Sequence, residues 1–281
     1  MRTLTAVLTA AAVVLLPACG TAQDEASAQE RIAQAPAATE AAGSARMDMD
    51  MTMTVQGDEV TVTGEGAMDF ATEQATMTME MGALMPGGGS QSMEIRTDGS
   101  TIFLLMPNAQ EMGLPTPWIR MDVDEMAGLR GLGELQQMSN DPAGSMNMLR
   151  GASEDIREVG TEEIRGVSTT HYQATVDLER AAEQAPEGAG EALRQQIEVL
   201  GRSTVPVEVW LDDEGRVRRQ QVVMDLSQAQ GAAAGQGPEE MRMTVELFDF
   251  GAEVDVAPPP DSDVTDFADL QGGGGGGGGG G

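Results

Sequence analysis

Thioether sulfur is the most abundant chemically distinctive group in this chain. Of 281 residues, 21 are methionine, against five Phe, two Trp and one Tyr. Many recur at every second position: Met47, Met49, Met51 and Met53 form one string, and Met77, Met79 and Met81 another. A thioether is a soft donor suited to Cu(I), so clustered methionines could hold a copper ion. They could also fill a core. A third reading is an apolar wall for an irregular ligand such as an acyl chain, because the side chain is unbranched, flexible and polarizable. Copper sites of that kind usually add His or Cys, and neither lies near these strings. Lipid lining is therefore the favoured reading, core filling the second and copper the third.

The other constellations that carry chemistry are missing. His171 is the single histidine, between Thr170 and Tyr172 on the polar side of an alternating run. One histidine and one thiol cannot build a zinc site, and a solvent-facing role for His171 outweighs catalysis. No Gly-x-Ser-x-Gly elbow and no glycine-rich phosphate loop occur. Asp261, Asp263 and Asp266 lack the glycine and the terminal glutamate of a calcium loop. No enzymatic activity, cofactor or metal is expected. The formal net charge is −30, and every one of the 16 basic residues is Arg. Such a surface repels nucleic acid, which needs clustered positive charge to displace its counterions. It also repels anionic headgroups, so the body should stand off a membrane.

The one cysteine carries the clearest modification signal. Arg2, an apolar run from Leu4 to Leu16 and the string Leu16-Pro17-Ala18-Cys19-Gly20 describe an export signal too short to span a bilayer permanently. Leu at −3, Ala at −1 and Cys at +1 resemble the lipobox of bacterial lipoproteins, in which the thiol receives a diacylglycerol and the signal is cut before the cysteine. The expectation is a signal peptide at 1–18 and a lipidated Cys19. Two or more acyl chains give a stable anchor, because each buried methylene contributes about 0.8 kcal/mol.

These residues need elements to position them. Residues 19–45 are rich in Ala, Gln, Glu and Thr, with Pro36 inside, and read as a flexible tether with a weak helical pattern over 32–42. From Met47 the period is two: Met47–Val55, Val60–Phe70 and Met77–Met81 alternate apolar with polar residues, as half-buried antiparallel strands do. Gly64 and Gly66 in the second run predict a bend or a close approach. Asp98-Gly99 predicts a hairpin. Further strands are expected at 115–122, 154–164, 167–178, 205–211, 216–226 and 241–247. Helices are expected at 124–138, after Asp141-Pro142, and up to Leu200 with a break at 186–188. The tail 257–281, acidic and ending in glycines, reads as disordered.

Gly166-Val167-Ser168-Thr169-Thr170-His171-Tyr172 through Asp177-Leu178, then Val205-Pro206-Val207-Glu208-Val209-Trp210-Leu211-Asp212 and Gly215-Arg216, resemble actinobacterial lipoproteins of the LppX/LprG type. Gly43-Ser44-Ala45-Arg46 and Gly64-Glu65-Gly66-Ala67-Met68-Asp69-Phe70 fit the same pattern. That type is similar in shape to the LolA and LolB carriers. The resemblance implies an α+β fold, a strongly curved antiparallel half-barrel sheet with helices packed on its concave face, over residues 46–256. It also implies an apolar cavity for a lipid or acylated glycolipid, transport across the envelope, a membrane transporter as partner, and a monomer. The cavity lining expected on this basis is Met49, Met51 and Met53 in the first strand and Val62, Met68 and Phe70 in the second. Met77, Met79 and Met81 follow in the third, then Val207 and Val209, and finally Met243 and Val245. A non-carrier envelope lipoprotein that scaffolds or senses is the alternative.

Overall fold

Wherever the structure describes the alternating stretches, they are strands. The structure is a computed structural model that describes residues 21–55, 57–80, 92–106, 109–110, 113–122, 155–184, 189–227 and 238–272. Helix α1 (Thr21–Glu40) comes first. A meander follows: β1 (Ser44–Val55), β2 (Asp58–Asp69), β3 (Gln74–Glu80), β4 (Ser92–Asp98), β5 (Thr101–Leu105) and β6 (Trp118–Asp122). After it come β7 (Arg157–Ile164), β8 (Val167–Asp177), α2 (Leu178–Gln184), α3 (Ala189–Leu200), β9 (Thr204–Leu211), β10 (Val217–Asp225) and β11 (Pro238–Phe248). The C-terminal part adds a 3-10 turn at Asp261–Asp263, β12 (Val264–Asp266) and α4 (Phe267–Gly272).

All twelve strands lie in one sheet, in the order β12-β6-β5-β4-β3-β2-β1-β11-β10-β9-β8-β7. Every pairing is antiparallel except that of β12 with β6. A twisted sheet of this width curls rather than staying flat, and here it forms a curved, unclosed half-barrel with helices against it. The expected fold class is the observed one. Hairpins set the register where the local chemistry is strong. Arg165 and Gly166 both have positive φ (51° and 80°) between β7 and β8, the pattern of the two-residue turn whose twist matches flanking strands.

Two expectations are corrected. The tether is not loose from residue 21 onward: α1 covers 21–40, well beyond the weak pattern at 32–42. Ala28, Ile32, Ala35 and Thr39 recur at spacings of four, three and four, and all four are buried. Ala28 and Ala35 are small and let the helix come close to the sheet, while Ile32 fills the core. Pro36 denies the Ile32 carbonyl its helical donor, yet it is itself buried, so packing outweighs the lost bond. The Thr39 hydroxyl accepts from the Val217 N–H at 3.0 Å and donates to the Ala35 carbonyl at 2.8 Å. Val217 sits at a register shift in β10, where the strand's own pairing is irregular.

The tail is also ordered as far as Gly272. Val264–Asp266 pairs with the open edge of β6, and Arg120 holds Asp266 through two bonds of 2.5 and 2.8 Å. Phe267 and Leu270 pack on the cluster of Ile95, Ile102, Ile119 and Met121. The glycines from 273 onward lie outside the described residues. So do the signal segment with Cys19, the expected helices near 124–138 and after Pro142, and Met81.

The α1 docking gives a direct test. Ile32 is fully buried, and truncating such a side chain costs about 2–5 kcal/mol. Ile32→Ala should lower the urea midpoint by the corresponding amount, while Gln34→Ala on the exposed side should leave it nearly unchanged. Equal midpoints for the two variants would mean that α1 does not dock.

Candidate functional site

Cross-strand register aligns the inward side chains into transverse rows. One row runs Tyr172, Val209, Gln220, Val245, Met49, Gly64, Met79 and Met93 from β8 to β4. The next runs Ala174, Val207, Val222, Met243, Met51 and Val62. A third includes Met224, Met241, Met53 and Val60. On the other side of the first row lie Leu247, Met47, Gly66, Met77 and Ile95. Directly opposed side chains on one face sit about 5 Å apart at Cβ and touch.

The face is fully buried in one part and half-buried in another. Met47, Met49, Val62, Met68, Val207 and Val209 are buried, most of them in the same cluster as Ile32 of α1. Met51 and Met53 on β1, Met241, Met243 and Val245 on β11, and Val222 and Met224 on β10 are half-buried. These three adjacent strands carry the half-buried methionines side by side as one band of the concave face. Met77 and Met79 on β3 and Phe70, just past the end of β2, are also half-buried. The expected lining residues that the structure describes therefore share one face, but they divide between a buried and a half-buried part. Met224 and Met241 were not among them. The signal was present: Met241 shares the parity of Met243, and Met224 that of Val222.

Glycine shapes the face between the two methionine strings. Gly66 lies between Met47 and Met77, and Gly64 between Met49 and Met79. A Cβ on Gly66 would fall closer than 3.0 Å to the Thr76 carbonyl oxygen and 3.2 Å from the Met47 Cγ. A Cβ on Gly64 would make ordinary contacts of 3.4 Å with Met49 Cε and Met79 Cγ. The strings on β1 and β3 are thus not neighbours in the sheet, yet they close over β2 because β2 offers no side chain there.

The convex face is of opposite character. Arg165 donates to Glu246 at 2.7 Å and also to Asp48, with its guanidinium 4.0 Å from the Phe248 ring centre. Arg219 donates to the other Glu246 oxygen at 2.6 Å. Burial pushes the Glu246 carboxyl up, and the bonds from Arg165 and Arg219 more than offset it, leaving its pKa below the ordinary value. Trp210 Nε1 donates to Glu162 at 2.7 Å, and His171 stacks on Trp210 with ring centres 4.2 Å apart. His171 Nε2 lies 3.0 Å from Glu208. His171 does face away from the concave core, but it is part of a packed ladder rather than free in solvent. Where β9 turns into β10, Asp212 is buried and accepts from Arg216 and Arg218 at 2.9 and 2.8 Å. Burial raises its pKa, and the Arg218 and Arg216 bonds outweigh that, leaving it lowered.

Two polar groups stand out on the apolar side. Tyr172 is fully buried, and its hydroxyl has no hydrogen-bond partner among the described residues. An unpaired buried hydroxyl costs about 1–3 kcal/mol. Gln220 is half-buried two strands away in the same row. The described residues contain no group of three or more His, Cys, Asp or Glu side chains that could hold a metal ion. No described helix is long and apolar enough to cross a membrane.

No family model matches the chain. An uncharacterised 31.2 kDa protein of Streptomyces griseus is 28% identical over 201 residues, covering 68% of this chain and 62% of the relative, under two thirds of its length. A putative lipoprotein of Streptomyces coelicolor is 27% identical over 244 residues, covering 83% of this chain and 73% of the relative. Among solved structures, the Mycobacterium tuberculosis lipoprotein LppX aligns over 83% of this chain and all of its own, with a TM-score of 0.51 at 16% identity. The chain has the LppX fold, and the resemblance read from the sequence holds at that level.

The glycine arrangement makes its own prediction. Gly66→Ala forces β2 and β3 apart and should destabilise by about 1–3 kcal/mol, the usual range for overpacking. Gly64→Ala, with room for its methyl, should melt within a degree or two of the parent. Differential scanning calorimetry distinguishes them, and equal tolerance at both sites would contradict the close approach.

Proposed function

We propose that this chain is a lipoprotein of the cell envelope that carries a lipid or acylated glycolipid on its concave face. The observation that carries this reading is the half-buried band of Met51, Met53, Met224, Met241 and Met243, in two adjacent rows beside a fully buried core. A sheet that served only as a scaffold would gain stability by covering those side chains. Methionine suits a wall that must accept chains of varying shape, because it repacks at little cost. The LppX fold and the lipoprotein name of the Streptomyces coelicolor relative are consistent with it. The anchor is Cys19, acylated at the extracytoplasmic face after cleavage behind Ala18. The acidic body then stands off anionic lipid, and α1 follows the anchor almost at once. A scaffolding or sensing lipoprotein with no ligand is the competing function.

Two experiments test this. In the first, Cys19→Ala should move the protein from the detergent phase to the aqueous phase in cloud-point partitioning. A parent chain that already partitions into water would refute the anchor. In the second, native mass spectrometry of the unanchored full chain should show bound lipid, whereas a clean apo mass from several expression hosts favours the scaffold. Replacing Met51, Met53, Met241 and Met243 by Leu keeps the apolar area and removes the sulfurs, at under about 1.5 kcal/mol per site. Lipid should survive that exchange. Tight Cu(I) binding by the parent that vanishes in the Leu variant would instead make the sulfurs ligands.

A further inference from the structure

The half-buried methionines differ in what they pack against. Met77 and Met224 lie on the cluster that contains Ile32 and Met47, and Met79, Met93 and Met106 lie on the cluster of Ile95, Ile102, Ile119 and Met121. Met51, Met53, Met241 and Met243 belong to neither of these two clusters. The four form a quartet across the pairing of β1 with β11, with Met51 opposite Met243 and Met53 opposite Met241. Exposure changes in the middle of the β1 string: Met47 and Met49 are 2% and 7% exposed, while Met51 and Met53 are half-buried. Opposed residues in a sheet stand about 5 Å apart at Cβ, so the four thioethers are close neighbours. No described residue is a cysteine, the single one of the chain being Cys19. Thioether is therefore the oxidisable sulfur of the described body, and its susceptibility follows exposure.

We propose that this quartet is a peroxide-reactive site, at which a small neutral peroxide is reduced while the core methionines are spared. In each event the thioether sulfur attacks one peroxide oxygen, the O–O bond breaks and an S–O bond forms. The sulfur is oxidised by two electrons to the sulfoxide, and hydrogen peroxide leaves as water. The net charge of −30 repels anionic oxidants and leaves an uncharged peroxide free to approach. A sulfoxide is polar, and inside a core it disrupts packing. On the quartet that cost is small, because the four side chains rest on neither buried cluster and methionine is flexible enough to turn the new oxygen to water. The four sulfurs together take up four oxygen atoms per chain before the core is touched. The inference is independent of the carrier reading, since it requires only that these sulfurs be partly exposed and set apart from the core.

The test uses the unanchored full chain, Cys19→Ala, stripped of any bound lipid and checked by native mass spectrometry. It is treated with hydrogen peroxide at neutral pH, and peptide fragmentation mass spectrometry follows each methionine in time. Met51, Met53, Met241 and Met243 should oxidise about tenfold faster than the buried Met47, Met49, Met68 and Met121, in line with their exposure. With the quartet converted, the melting temperature should stay within about two degrees of the parent's, as for changes away from the core. Replacing the four by Leu should remove about four equivalents of fast peroxide uptake. Met47→Leu with Met49→Leu should leave that uptake unchanged. Core methionines that oxidise as fast as the quartet overturn the proposal, because exposure then does not sort the sulfurs. A melting temperature that falls as the quartet oxidises also overturns it, by putting these side chains in the core. So does fast uptake that persists undiminished in the Leu variant. Lipid content is scored separately, so each of these failures leaves the carrier reading standing.

Discussion

The pairing of β1 with β11 is the constraint on which the rest of the molecule depends. It joins two meanders that are far apart in sequence, β1 to β6 on one side and β7 to β11 on the other. Because side chains alternate with a period of two, a slip of one residue at this seam would turn every methionine of β1 outward and bring Asp48 and Asp50 into the core. Residues 46–54 of β1 match residues 240–248 of β11 without interruption. The transverse rows of the concave face exist only because that register holds. So does the half-buried methionine band, since its methionines come from both sides of the seam.

The convex face secures the same seam electrostatically. Sixteen arginines face 46 carboxylates, so acidic groups outnumber basic ones nearly three to one and the surface repels itself. Arg165 links Asp48 on β1 to Glu246 on β11, and Arg219 links Glu246 to β10. Exposed pairs contribute little singly. These are partly buried, joined into a network and stacked on Phe248 and Trp210. They lie where a register slip would separate them, which favours a role in specifying alignment. Arg165 reaches the seam because its positive φ places it in the tight turn between β7 and β8.

The sheet was largely legible in the sequence, since alternation over ten residues has no other good solution. The meaning of Gly64 and Gly66 was half legible: a close approach was indicated, but not that two methionine strings would meet over them from strands that do not pair. α1 was mostly illegible. Its buried stripe is Ala28, Ile32, Ala35 and Thr39, with Ile32 the one strongly apolar residue in it, so the helical apolar pattern is weak although the face packs well. Pro36 disfavours a helix locally, and only burial against the sheet offsets that cost. β12 was hidden for a different reason. Three residues cannot show a period, and what orders them is the free edge of β6 with Arg120, 146 residues before its partner Asp266.

The scarcity of aromatic residues connects fold to function. A half-barrel of this width has a large inner face, and aromatic rings would fill it with rigid, close-fitting surface. Here that area falls to valine and methionine, and the two are not mixed at random. Valines gather at β8 and β9, where Val176, Val205, Val207 and Val209 are buried. Methionines gather at β1 and β11, where much of the face is half-buried. Branched side chains have few rotamers and make a fixed wall. Unbranched thioethers have many and make a yielding one. A boundary between stiff and yielding surface crosses the row that contains Tyr172 and Gln220.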